Sequence, residues 1–179
     1  MNLFIQLLTY FRIIAAPAIF ILITVLNFYG WALLLFMLAS ASDYWDGFLA
    51  RRYKLESTVG AILDPIADKI LVTFLILALS IELSSIFVAF AGGLILVREF
   101  WVGALRDMNA RNHKSDATKV TFLAKIKTST QLFTISLYLL SLTINNMLLL
   151  VIADIFLFIS LFITIYTGFI YTLNSFKKE

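Results

Sequence analysis

The sequence predicts an all-α integral membrane bundle of six transmembrane helices, with both termini cytoplasmic. Three observations predict it. Hydrophobic residues make up 61% of the 179 positions, and the mean hydropathy is +0.96. A soluble domain is about 45–50% apolar, and one this small has too much surface to hide the excess. Six apolar stretches also reach the ~20 residues that a helix needs to cross the hydrocarbon core. Finally, the lysines and arginines that lie between these stretches fall only in alternate connections.

The first stretch covers residues 7–26 and contains Arg12 and Pro17. Its apolar run continues past Pro17, longer than the core of a cleaved signal peptide, so it is expected to stay as a helix. Asn27-Phe28-Tyr29-Gly30 reads as a tight turn into the second stretch, 31–50. The third and fourth, 60–80 and 86–105, are separated by the polar turn 81–85. The fifth and sixth, 122–141 and 147–167, are separated by the turn 143–146. No soluble domain or internal repeat fits anywhere, so residues 1–179 read as one membrane domain.

Orientation follows from the cations. Arg51, Arg52 and Lys54 join the second and third stretches, and Arg106, Arg111, Lys114 and Lys119 follow the fourth. Lys125 and Lys127 open the fifth, and Lys177 and Lys178 come after the sixth. The three other connections hold no lysine or arginine. With six spans every basic connection lies on one side, which the positive-inside rule makes cytoplasmic. Tyr29 and Trp31 suit the opposite, interfacial belt.

Composition also excludes whole classes of chemistry. The chain has no cysteine and a single histidine, His113. Disulfides, thiolate sites and multi-histidine metal sites are therefore out, and metal chemistry falls to carboxylates, which suit magnesium, manganese or calcium. The net charge is +3, with no long basic run outside apolar context, so nucleic acid is not expected as a partner.

Four acids stand where the hydropathy says membrane. Asp43 and Asp46 are three apart in the second stretch, and Asp64 and Asp68 four apart in the third. Each pair shares one helix face. Asp43 lies eight residues before Arg51, about 12 Å along a helix axis, just below the headgroups. The second and third helices are expected to be antiparallel neighbours, so that the four carboxylates meet at their cytoplasmic ends. Charge at that depth is costly and usually functional. A structural reading pairs the acids with Arg51, Arg52 and Lys69. A divalent-cation site accounts better for four clustered like charges.

The whole segment runs Asp43-x-x-Asp46-Gly47-x-x-Ala50-Arg51, eight residues, Gly60, then Asp64 and Asp68. It resembles the signature of the CDP-alcohol phosphatidyltransferase family, and the resemblance extends over the chain, since those enzymes also have six transmembrane helices. It implies two divalent ions, Mg2+ or Mn2+, held over the pyrophosphate of a CDP-lipid by Asp43, Asp46 and Asp64. Asp68 matches the general base and is a further metal ligand. Gly47, Ala50, Arg51 and Gly60 become nucleotide or CDP-lipid contacts; close helix packing is the plainer reading of the two glycines. A homodimer in a cell's inner (plasma) membrane, with the site at its cytoplasmic face, is implied likewise.

A second group bears on the acceptor. Arg98 and Arg106 are eight apart in and after the fourth stretch, near one helical stripe, and Lys125 and Lys127 open the fifth. Cations beside a phosphoryl-transfer site suit an anionic acceptor. Glu99 neighbours Arg98, although adjacent residues do not face each other on a helix. The words Arg98-Glu-Phe-Trp-Val-Gly-Ala-Leu-Arg106, Lys125-Ile-Lys127-Thr128 with Gln131, Asp64-Pro65-Ile-Ala-Asp68-Lys69 and Leu8-Thr9-Tyr-Phe-Arg12 resemble family members that use sn-glycerol 3-phosphate. They imply CDP-diacylglycerol as donor and an acceptor phosphate among Arg98, Arg106, Lys125 and Lys127. Thr9, Arg12, Thr128 and Gln131 join the candidate site. Gln6 and Gly103 depart from the pattern, which usually has asparagine and commonly serine there. Other acceptors of the family (serine, an inositol phosphate, phosphatidylglycerol) are the alternative. A small cation transporter or channel is the alternative of another class, and it would spread its acids through the membrane depth.

Overall fold

The structure is a computed structural model. It describes residues 2–53, 58–112, 118 and 122–177; within these, 2–6, 44, 46–53, 58–62 and 124–125 are described as helical backbone only. The described residues form six α-helices and no strand: α1 (Asn2–Thr24), α2 (Tyr29–Tyr53), α3 (Thr58–Glu82), α4 (Ile86–Arg111), α5 (Phe122–Ile144) and α6 (Met147–Phe176). Five of the six apolar stretches lie wholly within one helix each, and the first, 7–26, runs two residues past the end of α1. Three of them, α1 over Leu7–Thr24, α4 and α6, are long and apolar enough to cross a membrane. The other three carry the aspartates of α2 and α3 and the hydroxyl and amide side chains of α5.

The three turns without basic residues are made locally. Each reverses through a left-handed residue: Asn27 (φ 55°), Ser84 (φ 47°) and Asn145 (φ 51°). Asparagine tolerates that region better than most side chains. Ser85 then caps α4 by accepting from Val88 N–H, and Asn146 caps α6 by accepting from Leu148 and Leu149 N–H. Tyr29 donates to Glu82 at 2.5 Å and ties the start of α2 to the end of α3.

The helices close into a ring. In order around it stand α1, α2, α5, α6, α4 and α3, with α3 returning to α1. Among the described residues α2 and α3 share little direct contact, because α1 stands between them, where close neighbours were expected. The core is filled by Ile19, Ile23, Phe36, Leu75, Leu79, Ile95 and Leu139, all nearly or fully buried. At Gly92 helices α3 and α4 approach closely: a Cβ there would lie 2.2 Å from Ile76 Cγ2.

Helix α6 shows how the bundle is sorted. Its buried side is small or polar, with Ala153, Ser160, Thr164, Thr167 and Gly168. Its exposed side holds Phe158, Phe162 and Phe169. Large apolar groups outward and small residues inward is the pattern of helices packing in lipid. Thr164 and Thr167 find partners within the bundle, while the buried Ser160 hydroxyl has none; Tyr138 of α5 donates to Asp154 of α6 at 2.6 Å. Asp154 is thus a packing contact.

Candidate active site

Three of the four expected carboxylates converge, and they converge on an arginine. Arg12 of α1 is fully buried. Its Nη1 donates to Asp43 Oδ1 of α2 at 2.6 Å and also to Asp68 Oδ1 of α3. Its Nη2 lies 3.3 Å from Asp64 Oδ1, which also accepts from Thr9 Oγ1 at 2.6 Å. The backbone explains the geometry. Asp64 and Asp68 share a face of α3, Thr9 and Arg12 a face of α1, and α1 touches both α2 and α3. Charge compensation therefore comes from Arg12, not from Lys69: among the described residues Lys69 makes no ion pair. The side chains of Arg51 and Arg52, the other expected partners, lie outside the described part.

Among the described residues in this cluster, one guanidinium against three carboxylates leaves a negative excess. Asp43 and Asp68 keep about half of their side-chain surface exposed, 49% and 48%. A hard, oxygen-only donor set with excess negative charge and an open side fits a divalent cation. Among the described residues, however, the carboxylates do not form a closed metal cage. Each is turned toward Arg12 instead. The side chains of Asp46, Ala50, Arg51 and Lys125 lie outside the described part, and Gly47 and Gly60 are described only as helical backbone. His113, Lys114 and Lys119 lie outside the described residues altogether.

Next to Asp68 opens a cavity of about 290 Å³ between α3, α4 and α5. Its wall includes Arg98, Arg106, Lys127, Thr128 and Gln131, so three of the four residues expected around the acceptor phosphate and two of the other site candidates share one space with Asp68. Pro65 lines it too; a proline within a helix frees a backbone carbonyl one turn earlier, which membrane helices tolerate beside cavities.

The cations of this cavity differ in how they are held. Glu99 accepts from Arg98 Nη1 at 3.2 Å and from Lys127 Nζ. Neighbours in sequence do meet here, because the long arginine side chain curls back over the flexible glutamate. Arg98 Nη2 donates to Thr167 Oγ1 of α6 at 2.7 Å, and its guanidinium stacks over Tyr171, 5.7 Å from the ring centre. Gly168 makes room for the stem: a Cβ there would lie 2.9 Å from Arg98 Cγ. Gln131 donates to Thr164 Oγ1 at 3.3 Å. Thr167, Gly168 and Tyr171 were not legible as site residues, since nothing near them in sequence carries charge. A glycine between a threonine and an aromatic was the only local signal. Arg106, by contrast, is exposed and has no carboxylate partner among the described residues.

Comparison with known proteins gives the following. Residues 4–166 match the family model described as CDP-alcohol phosphatidyltransferase. A protein of Rickettsia bellii (strain RML369-C) is 42% identical over 139 residues, covering 77% of this chain and 75% of its own length. One from Rickettsia typhi (strain ATCC VR-144 / Wilmington) is 38% identical over 167 residues, or 92% of each chain. One from Sodalis glossinidius (strain morsitans) is 36% identical over 129 residues, or 70% of each. All three are named CDP-diacylglycerol–glycerol-3-phosphate 3-phosphatidyltransferase.

Proposed function

The chain belongs to the CDP-alcohol phosphatidyltransferase family, and on that premise we propose that it transfers the phosphatidyl group of CDP-diacylglycerol to sn-glycerol 3-phosphate. The products are phosphatidylglycerophosphate and CMP, in phospholipid biosynthesis. The observation that carries the reading is the shared cavity, in which Asp68 and the cations Arg98, Arg106 and Lys127 face one space. A carboxylate able to take a proton thus stands beside a pocket able to hold a phosphate. The names of the relatives support the same donor and acceptor.

In this reading the acceptor's phosphate lies among the cations and its free hydroxyl points toward Asp68. The hydroxyl oxygen attacks the β-phosphorus of CDP-diacylglycerol, the bond from that phosphorus to the bridging oxygen breaks, and CMP leaves. Asp68 takes the hydroxyl proton as it becomes acidic in the transition state. Glu99, by fixing Arg98 and Lys127, holds the pocket in shape. Arg12 keeps Asp43, Asp64 and Asp68 gathered before substrate arrives. Asp43, Asp46, Asp64 and Asp68 would hold two divalent ions, Mg2+ or Mn2+, which supply charge neutralisation on the transferring and leaving oxygens. Gly47, Ala50, Arg51 and Gly60 belong to the nucleotide side, and Lys125 to the acceptor side.

The six helices span the inner (plasma) membrane, with both termini and the site at the cytoplasmic face. The placement of the basic residues supports this. The working unit is a homodimer. Purified protein given CDP-diacylglycerol and, in turn, sn-glycerol 3-phosphate, serine, an inositol phosphate and phosphatidylglycerol tests the assignment. CMP release is expected with sn-glycerol 3-phosphate and to need Mg2+ or Mn2+; release only with another acceptor overturns it. A transporter would release no CMP with any of them.

A further inference from the structure

Given the acceptor proposed above, we infer that Lys69, seated in the notch left by Gly103, is a further residue that binds and positions the acceptor's phosphate. Lys69 lines the same cavity as Asp68, Arg98, Arg106 and Lys127. Although it follows Asp68 in sequence, its ammonium is directed across to α4. There it lies 5.4 Å from the centre of the Phe100 ring. A Cβ built on Gly103 would come within 2.8 Å of its Nζ, and 4.0 Å of its Cε. The missing side chain of Gly103 is therefore a seat for the ammonium group alone.

The charges of the cavity give this seat its meaning. Arg98 and Lys127 are already neutralised in part by Glu99. Among the described residues Lys69 and Arg106 have no carboxylate partner. Gly103 and Arg106 are three apart on α4, so the seat and Arg106 lie on one face. An entering phosphate thus meets two cations with no counter-ion to displace. Arg106 can offer two donors from a flat fork, and Lys69, reaching over from α3, a compact point charge beside it. Cation–π contact with Phe100 steadies the ammonium while leaving its N–H groups for an anion.

Two substitutions test this without relying on each other. Lys69→Gln removes the charge at similar length. Gly103→Ala keeps the charge and fills the seat, and because the displaced atom ends a flexible side chain, the helices need not move. Both are made in the full chain and assayed with Mg2+, CDP-diacylglycerol and sn-glycerol 3-phosphate. Competition by inorganic phosphate is measured in parallel. Loss of one charge-assisted contact should raise the acceptor KM about tenfold or more in Lys69→Gln, and weaken phosphate competition equally. The KM for CDP-diacylglycerol should stay within about twofold, well inside the effect of one such contact. Gly103→Ala should shift the acceptor KM in the same direction, and the double variant should be no worse than Lys69→Gln. An unchanged acceptor KM in Gly103→Ala, or equal rises for both substrates in Lys69→Gln, overturns the inference while the parent's use of sn-glycerol 3-phosphate stands. A parent that does not use sn-glycerol 3-phosphate removes the acceptor reading itself, and this inference with it.

Discussion

Arg12 and Asp43, 31 positions apart on neighbouring helices, are joined by an Nη1–Oδ1 contact of 2.6 Å. The same Nη1 reaches Asp68. A buried guanidinium thus serves as the common counter-ion of carboxylates from two other helices. Arg12→Ala should leave those carboxylates facing one another without compensation. Removing one partner of a fully buried ion pair costs about 3–5 kcal/mol; the loss here should be smaller, because Asp43 and Asp68 are half exposed. The thermal midpoint in detergent should fall, and added Mg2+ should recover more of it in the variant than in the parent. Equal response to Mg2+ in both proteins would show that Arg12 and cation do not share the same charges.

Asp68→Asn keeps shape and removes the proposed base. Turnover should drop by about 10²- to 10⁴-fold, the usual worth of a positioned proton acceptor. The KM for CDP-diacylglycerol should change little, which steady-state kinetics of both substrates can read. A pure affinity loss would assign Asp68 another role.

Asp46→Asn should abolish CMP release while leaving the thermal midpoint near that of the parent. The reason is charge: this carboxylate completes the set proposed to hold the divalent ions. Chelation should stop the parent enzyme in the same way, and returning Mg2+ or Mn2+ should restore it. An Asp46→Asn protein with full activity would remove it from the ligand set.

Arg106→Ala should raise the acceptor KM by about ten- to a hundredfold, the worth of a charged contact. Arg106 is exposed and without a carboxylate partner among the described residues, so stability should hardly change. An unaltered KM would move the phosphate away from this end of the cavity.

Gly168→Ala probes Arg98 from behind. The added methyl would meet the Arg98 stem at 2.9 Å, and overpacking of this kind costs about 1–3 kcal/mol. Both the thermal midpoint and the acceptor KM should worsen, since the guanidinium is pushed off Thr167. A lowered midpoint with an unaltered KM would make Arg98 purely structural.

Much of the site was legible in the sequence because its residues break a local pattern. Asp43, Asp64 and Asp68 stand out as charges in apolar stretches, and Arg98 and Lys127 stand out likewise. Their spacing of three, four or eight also showed which face they share, since helix geometry is local. The partner of the acids was harder. Arg12 was recognisable as a candidate, but sequence pointed to divalent cations as the neutralising groups, with Arg51, Arg52 and Lys69 as the structural alternative, and did not single out Arg12. Glu99 could be read as a partner of Arg98 although neighbours do not face each other on a helix, and the structure joins them, because long side chains bridge adjacent positions.

The sequence by itself determined a bundle of membrane helices, the position of its turns, and the two sets of charged residues. Those features depend on hydrophobic runs, charge placement and helix periodicity, all written within a few residues of each other. Only the tertiary structure decided the order of the helices around the ring. By placing α1 between α2 and α3 it made Arg12 the counter-ion of Asp43 and Asp68, and by closing α3, α4 and α5 around one cavity it brought Asp68 beside the cations. It also turned two glycines into seats, Gly168 for the Arg98 stem and Gly103 for the Lys69 ammonium. Which surfaces meet is settled by the packing of all six helices together, and no stretch of sequence carries that sum on its own.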